Sequence, residues 1–209
     1  MNKLSAIAGT FIGWLALIGQ LYLSIENRTT SLLEAIVRFF SYFTIQSNLL
    51  VTICFTVIAF GVNASKEKFF SKPTVQSAIV VYIIIVGLVY NLILRSLWNP
   101  QGLQYWLDQL LHTVVPIAFV VYWTVFINKQ MIGWKVIPSW LIYPSAYCIY
   151  TLIRGAFVGF YPYPFLDVKQ LGYSTVLFNI GGLILLFIFF CSLIVLIAQQ
   201  LVSKKIRHA

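Results

Sequence analysis

Negative charge is scarce in this chain: five Asp and Glu stand among 209 residues, against fourteen Lys and Arg. Charge of either sign makes up only 9% of the sequence, where soluble domains carry about 25%. A water-soluble globular domain is thereby excluded. Disorder is excluded as well, because it needs low hydrophobicity and high charge, and here 60% of residues are hydrophobic and mean hydropathy is +0.90. Metal-ligating groups are also few. There are two histidines and three cysteines, and Cys54, Cys148 and Cys191 all lie inside apolar runs, so neither a disulfide framework nor a zinc spacing is present. No metal and no cofactor is implied. The excess of positive charge, +9 in all, falls between apolar runs, which ties it to membrane topology rather than to nucleic acid.

What is present is hydrocarbon-soluble sequence. A crossing of the bilayer core needs roughly 20 apolar residues, and charge-free runs of that order extend over 4–25, 39–65, 73–94, 109–128, 136–153 and 170–203. They predict an all-α polytopic membrane protein, a single six-helix transmembrane domain over 1–209 with helices at about 4–25, 38–63, 73–97, 105–128, 136–159 and 172–203. The first run resembles a signal peptide, with Lys3 ahead of it. It is too long for an h-region and lacks a small-x-small cleavage site, so it reads as a retained helix. The last run exceeds one crossing and predicts tilt or a projecting end, with give near Gly181 and Gly182. With both termini cytoplasmic, Lys3, Lys66, Lys68, Lys72, Lys129, Lys135, Lys204, Lys205 and Arg207 fall inside, while only Arg28 and Lys169 occupy outer loops. Arg38, Arg95 and Arg154 then stand at outer helix ends, and the positive-inside rule favours this orientation.

Fixing the direction gives each polar residue a depth. Ser41, Thr44 and Asn48 share a face of the second helix, and Asp108 and His112 lie one turn apart on the fourth, ahead of Thr113 and Pro116. Thr44 and His112 each sit roughly 10 Å inside the outer boundary at 1.5 Å per residue. Asn91 and Arg95 end the third helix, Tyr150 and Arg154 the fifth, while Tyr173, Ser174 and Asn179 begin the sixth. Polar groups at membrane depth are costly and mark functional sites by default. Pro116 frees the carbonyl of His112, four residues earlier, which predicts a kink there. Two readings of the layer are open. One is a Thr44 nucleophile with His112 as general base and Asp108 or Asn179 orienting it; the other is a hydrogen-bonded packing cluster. The inner halves of the same helices read as almost wholly apolar, which counts against transport.

Arg154 and Arg95 read either as snorkelling anchors or as a clamp for a carboxylate or phosphate. The segment YPYPFLD at 161–167 reads as an interfacial aromatic anchor or as a stiff lid. Cys54 reads as a small core residue, with Cys148 or Cys191 as an alternative nucleophile if packing brings His112 near.

The segments FFSYFTIQSNLLV and LLHTVVPI, together with six spans of this size, resemble the androgen-induced-protein-like family of membrane hydrolases, in particular its small bacterial branch. In the family's animal members an intramembrane threonine and histidine hydrolyse fatty acid esters of hydroxy fatty acids. The resemblance implies Thr44 in YFTIQSN as nucleophile and His112 in LHTVVP as base. A related branch uses a cysteine for acyl transfer, and Thr44 at the helix-two position argues against that nucleophile here, while acyl transfer itself stays open.

The expectation is therefore a lipid ester hydrolase of the outer leaflet, in a bacterial cytoplasmic membrane. Thr44, His112 and Asp108 are its candidate catalytic residues. Asn48, Ser41, Arg95, Arg154, Asn91 and Asn179 are its candidate substrate-binding residues, with Asn48 or backbone N–H groups at the oxyanion. Its partners are the bilayer and a fatty-acyl ester, not nucleic acid; the sequence leaves the oligomeric state open. The alternative is a non-enzymatic lipid-binding protein or a small-solute transporter.

Overall fold

A computed structural model describes residues 3–61, 69–97 and 99–207, with side chains as far as residue 203. The described residues form helices and no strand, and six helices are long and apolar enough to cross a membrane. The chain is a multi-pass integral membrane protein, with its crossings where the six apolar runs predict them. They divide into two compact units, Met1–Asn128 and Lys129–Ala209.

In the first unit, α1 (Lys3–Glu26) is followed by a short helix α2 (Leu32–Phe40), then α3 (Phe43–Phe60) and α4 (Pro73–Leu92). The fourth crossing is assembled from α5 (Gly102–Gln109), a single π turn over Leu110–Val114, and α6 (Val115–Phe126). α1 and α3 meet through small residues. Gly9 and Gly13 are buried on α1; a Cβ at Gly9 would lie 2.6 Å from the Phe55 ring, and one at Gly13 would collide with the Thr52 side chain. Backbones approach this closely only where side chains are absent, and in lipid the resulting dispersion contact is what holds helices together. Phe55 and Phe119 pack edge to face at 5.2 Å, and Trp123, Val80, Val81 and Ile83 are likewise fully buried.

The second helix departs from the single span expected over 38–63. It breaks at Ser41 and Tyr42, where Tyr42 is extended (φ −80°, ψ 127°). The Ser41 hydroxyl donates to the Val37 carbonyl at 2.7 Å, and the Gln46 side-chain amide reaches back to the Phe40 carbonyl at 2.8 Å. These local bonds satisfy the end of α2 and let α3 start afresh. Thr44, expected six residues into one continuous helix, therefore lies in the first turn of α3. α3 closes at Gly61, whose φ of 64° is the left-handed conformation of a helix C-terminus. Positions 62 and 63 of the expected helix, together with Lys66 and Lys68, lie outside the described residues, as do the side chains of Lys204, Lys205 and Arg207.

In the second unit, α7 (Ile137–Val158) carries Pro144 in its interior, and α8 (Val168–Arg207) is the longest helix. The expected give at Gly181 and Gly182 is absent; the break in α8 is at Gly172 (φ 74°, ψ 160°). Between the helices, the rings of Tyr163 and Phe165 stack at 5.2 Å. Asp167 Oδ1 accepts from the backbone N–H of Lys169 at 2.9 Å, capping the first turn of α8.

Candidate functional site

The π turn organises the site. Pro116 has no N–H to offer the carbonyls of His112 and Leu111, four and five residues before it, and the Val115 N–H bonds Leu110 in the wider pattern. Both deprived carbonyls are satisfied by side chains from neighbouring helices. Asn48 Nδ2 of α3 donates to the Leu111 carbonyl at 3.0 Å and to the Thr44 carbonyl at 2.8 Å. Asn91 Nδ2 of α4 donates to the His112 carbonyl at 3.2 Å and to Gly87 at 2.9 Å. Gly87 itself approaches closely, since a Cβ there would stand 3.2 Å from the His112 carbonyl oxygen. The kink expected at His112 takes the form of this doubly capped π turn.

His112 is buried at 9% exposure and Asp108 at 5%. Imidazole Nδ1 lies 2.9 Å from the Asp108 carbonyl oxygen and 3.3 Å from its carboxylate Oδ1. Both neighbours are acceptors, so Nδ1 carries a proton. The other carboxylate oxygen of Asp108 accepts the phenol proton of Tyr90. The Tyr90 ring also stacks on the imidazole, with centroids 3.8 Å apart and planes 14° from parallel. Tyr90 thus fixes both members of the pair. Nothing in the sequence singled it out, because a tyrosine near a helix end reads as an interfacial anchor.

Thr44 is buried at 8% exposure. Its carbonyl and that of Leu111 lie within 3.0 Å of the one Asn48 nitrogen, which joins the start of α3 to the residue preceding His112. Both N–H groups of Asn48 are used on carbonyls, so it holds two helices together and has no donor left for an oxyanion. Ser41 is spent on the Val37 carbonyl at the α2–α3 break. Arg95 donates to the Asn91 side-chain oxygen at 3.1 Å and is exposed. Arg154 and Asn179 belong to the second unit. The Arg154 guanidinium lies 5.3 Å from the Phe160 ring centroid, and Asn179 donates to the Phe165 carbonyl at 2.9 Å, tethering the 161–167 segment.

A groove of about 320 Å³ runs along α4 and the fourth crossing. Its walls are Ile84, Leu88, Leu92, Ile117, Val120 and Val121, and its polar members are Asn91, His112 and Thr113. Ile117 and Val121 are 59% and 54% exposed, so the groove opens sideways where the helices meet lipid. The Thr113 hydroxyl is buried and makes no hydrogen bond among the described residues. In a regular helix it would bond the carbonyl four residues back, and the π turn disturbs that register.

The opposite ends of these helices are more polar than the sequence suggests. Trp123 Nε1 donates to Ser77 Oγ at 2.7 Å, which donates to the Pro73 carbonyl at 2.7 Å. Gln76 Nε2 and the Cys54 thiol both reach the Phe70 carbonyl, at 2.8 Å and 3.6 Å. This second cluster is roughly 22 Å from Asn91 along α4. Its bonds fasten residues 69–73 to the bundle. Among the described residues, no group of three or more His, Cys, Asp or Glu is placed to hold a metal ion.

Comparison with models of known protein families, with curated proteins and with solved structures finds no match to this chain.

Proposed function

We propose that the protein is an intramembrane hydrolase of fatty-acyl esters, of the androgen-induced-protein-like kind, working in the outer leaflet of a bacterial cytoplasmic membrane. The observation that carries this reading is the Asp108–His112 pair: a buried imidazole whose Nδ1 proton is held by Asp108, leaving Nε2 as a base at the polar end of a lipid-facing groove. A base fixed in one tautomer by an acidic neighbour is the arrangement general-base catalysis needs.

Thr44 supplies the attacking hydroxyl. Its Oγ adds to the ester carbonyl carbon as its proton passes to His112 Nε2, and the tetrahedral intermediate collapses with expulsion of the alcohol, which takes the proton back. Water then adds to the acyl-threonine with His112 again as base, releasing the fatty acid and restoring the hydroxyl. The first turn of α3 lends the positive end of its dipole to the oxyanion. The groove along α4 takes the acyl chain, and Arg95, joined to Asn91, holds a free carboxylate where the substrate has one.

The test is labelling of the detergent-solubilised protein with a fluorophosphonate, which phosphonylates activated hydroxyls. Wild type is expected to label, and Thr44→Ala and His112→Ala to lose labelling while each still unfolds cooperatively, His112→Ala at a lower melting temperature because it removes a buried, stacked ring. Retained labelling in Thr44→Ala and loss in Thr113→Ala would move the nucleophile to the hydroxyl in the groove. An unlabelled wild type would overturn catalysis in favour of a lipid-binding protein.

A further inference from the structure

A second cavity, of about 420 Å³, opens where α1 ends and α5 begins. It is lined by Leu23, Ser24 and Asn27 at the end of α1, and by Asn99, Pro100, Gln101 and Gln104 at the start of the fourth crossing. Among the described residues, no charged side chain lines it. Gln104 and Gln20 pair through both of their amide groups, at 2.9 Å and 3.4 Å, which holds the two walls together. Asn27 Nδ2 is used on the Leu23 carbonyl and Gln101 Nε2 on Asn99 Oδ1. Asn27, Asn99 and Gln101 are exposed; the oxygens of Asn27 and Gln101, one N–H of each and both N–H groups of Asn99 have no partner among the described residues. Acceptors and donors side by side on planar amides, beside the apolar faces of Leu23 and Pro100, match vicinal hydroxyl groups on a carbon skeleton, each of which both donates and accepts. They supply neither the cationic side chain that pairs with an anion nor the carboxylate that pairs with a cation. Gln104 is one helical turn before Asp108, so the cavity adjoins the polar layer at the ends of membrane-crossing helices.

We propose that this cavity binds the uncharged, hydroxyl-rich headgroup of a membrane lipid. Its assignment as the alcohol side of the ester rests on the hydrolase reading, with the acyl chain in the groove along α4; binding itself does not. The experiment is titration calorimetry on the protein in phosphatidylcholine nanodiscs, with 1-O-octylglycerol as a non-hydrolysable probe. Octyl sulfate and octyltrimethylammonium carry the same chain with charged heads, and glycerol carries the head without a chain. Octylglycerol is expected to bind about tenfold more tightly than either charged amphiphile, with no heat from glycerol. The Asn27→Ala/Gln101→Ala double variant should lose that preference, while His112→Ala should keep it. Equal binding of the three amphiphiles, preference for a charged one, tight binding of glycerol alone, or an unchanged double variant would overturn the proposal. A protein that binds octylglycerol selectively yet fails to label with fluorophosphonate would sink the hydrolase reading and leave the headgroup site standing.

Discussion

At the scale of single residues, the arrangement around His112 makes Asp108 and Tyr90 separable. Asp108→Asn offers Nδ1 an amide in place of a carboxylate and removes the negative charge that stabilises an imidazolium. Phosphonylation should slow about 10²–10⁴-fold with little loss of fold, read as labelling rate against melting temperature. Tyr90→Phe keeps the ring stack but leaves a carboxylate oxygen without its donor. It should cost about 1–3 kcal/mol of stability, measured by thermal unfolding in detergent, with a smaller effect on labelling than Asp108→Asn. Part of this site was legible in the sequence: Asp108 and His112 are four residues apart, so a helix brings them to one face. Tyr90 was not, because its partner lies on another helix and the periodicity of α4 says nothing about which neighbour its hydroxyl meets. Asn48 was visible as a polar residue in the right layer, but its task was not. That both its N–H groups go to carbonyls follows from the π turn, a feature of the opposing helix.

At the scale of the element, Pro116 and the two asparagines form one device. Pro116→Ala restores an N–H that can bond the His112 or Leu111 carbonyl in competition with Asn91 and Asn48. The turn should tighten toward α-helical register and swing the imidazole away from its present direction. Labelling should fall in a protein whose melting temperature is equal to or above that of wild type, since a backbone bond has been added. Asn91→Leu strands the His112 carbonyl instead and should cost about 1–3 kcal/mol, seen as a lower melting temperature. The α1–α3 seam gives a third test. Gly13→Val would drive two methyl groups into Thr52 and should destabilise by about 1–3 kcal/mol or separate the helices, read by unfolding or by loss of a disulfide engineered across the seam. The Gly-x-x-x-Gly spacing that marks this seam stands in the sequence at Gly9 and Gly13 and is the signal for it. The break between α2 and α3 had no comparable signal, since Phe39, Phe40, Tyr42 and Phe43 keep the segment apolar through the interruption and hydropathy is blind to a change in backbone direction.

At the scale of the whole molecule, the six crossings were legible because transfer into hydrocarbon is decided by length and composition alone. Their ends were less so, because a cap such as Gly61 or a break such as Gly172 depends on one residue's conformation. The distribution of lysines predicts that both termini face the cytoplasm. A reporter active only in the cytoplasm should work when fused to either end, and one active only outside should work when fused after Lys169. One last consequence follows from the paired amides of Gln20 and Gln104, which tie the first crossing to the fourth. A link made of two neutral groups has no counter-ions to lose and no titratable proton. Ionic strength does not screen it, acid and alkali do not titrate it, and the voltage across the bilayer does no work on it. The first and fourth crossings are therefore joined by a clasp that neither salt nor membrane potential loosens.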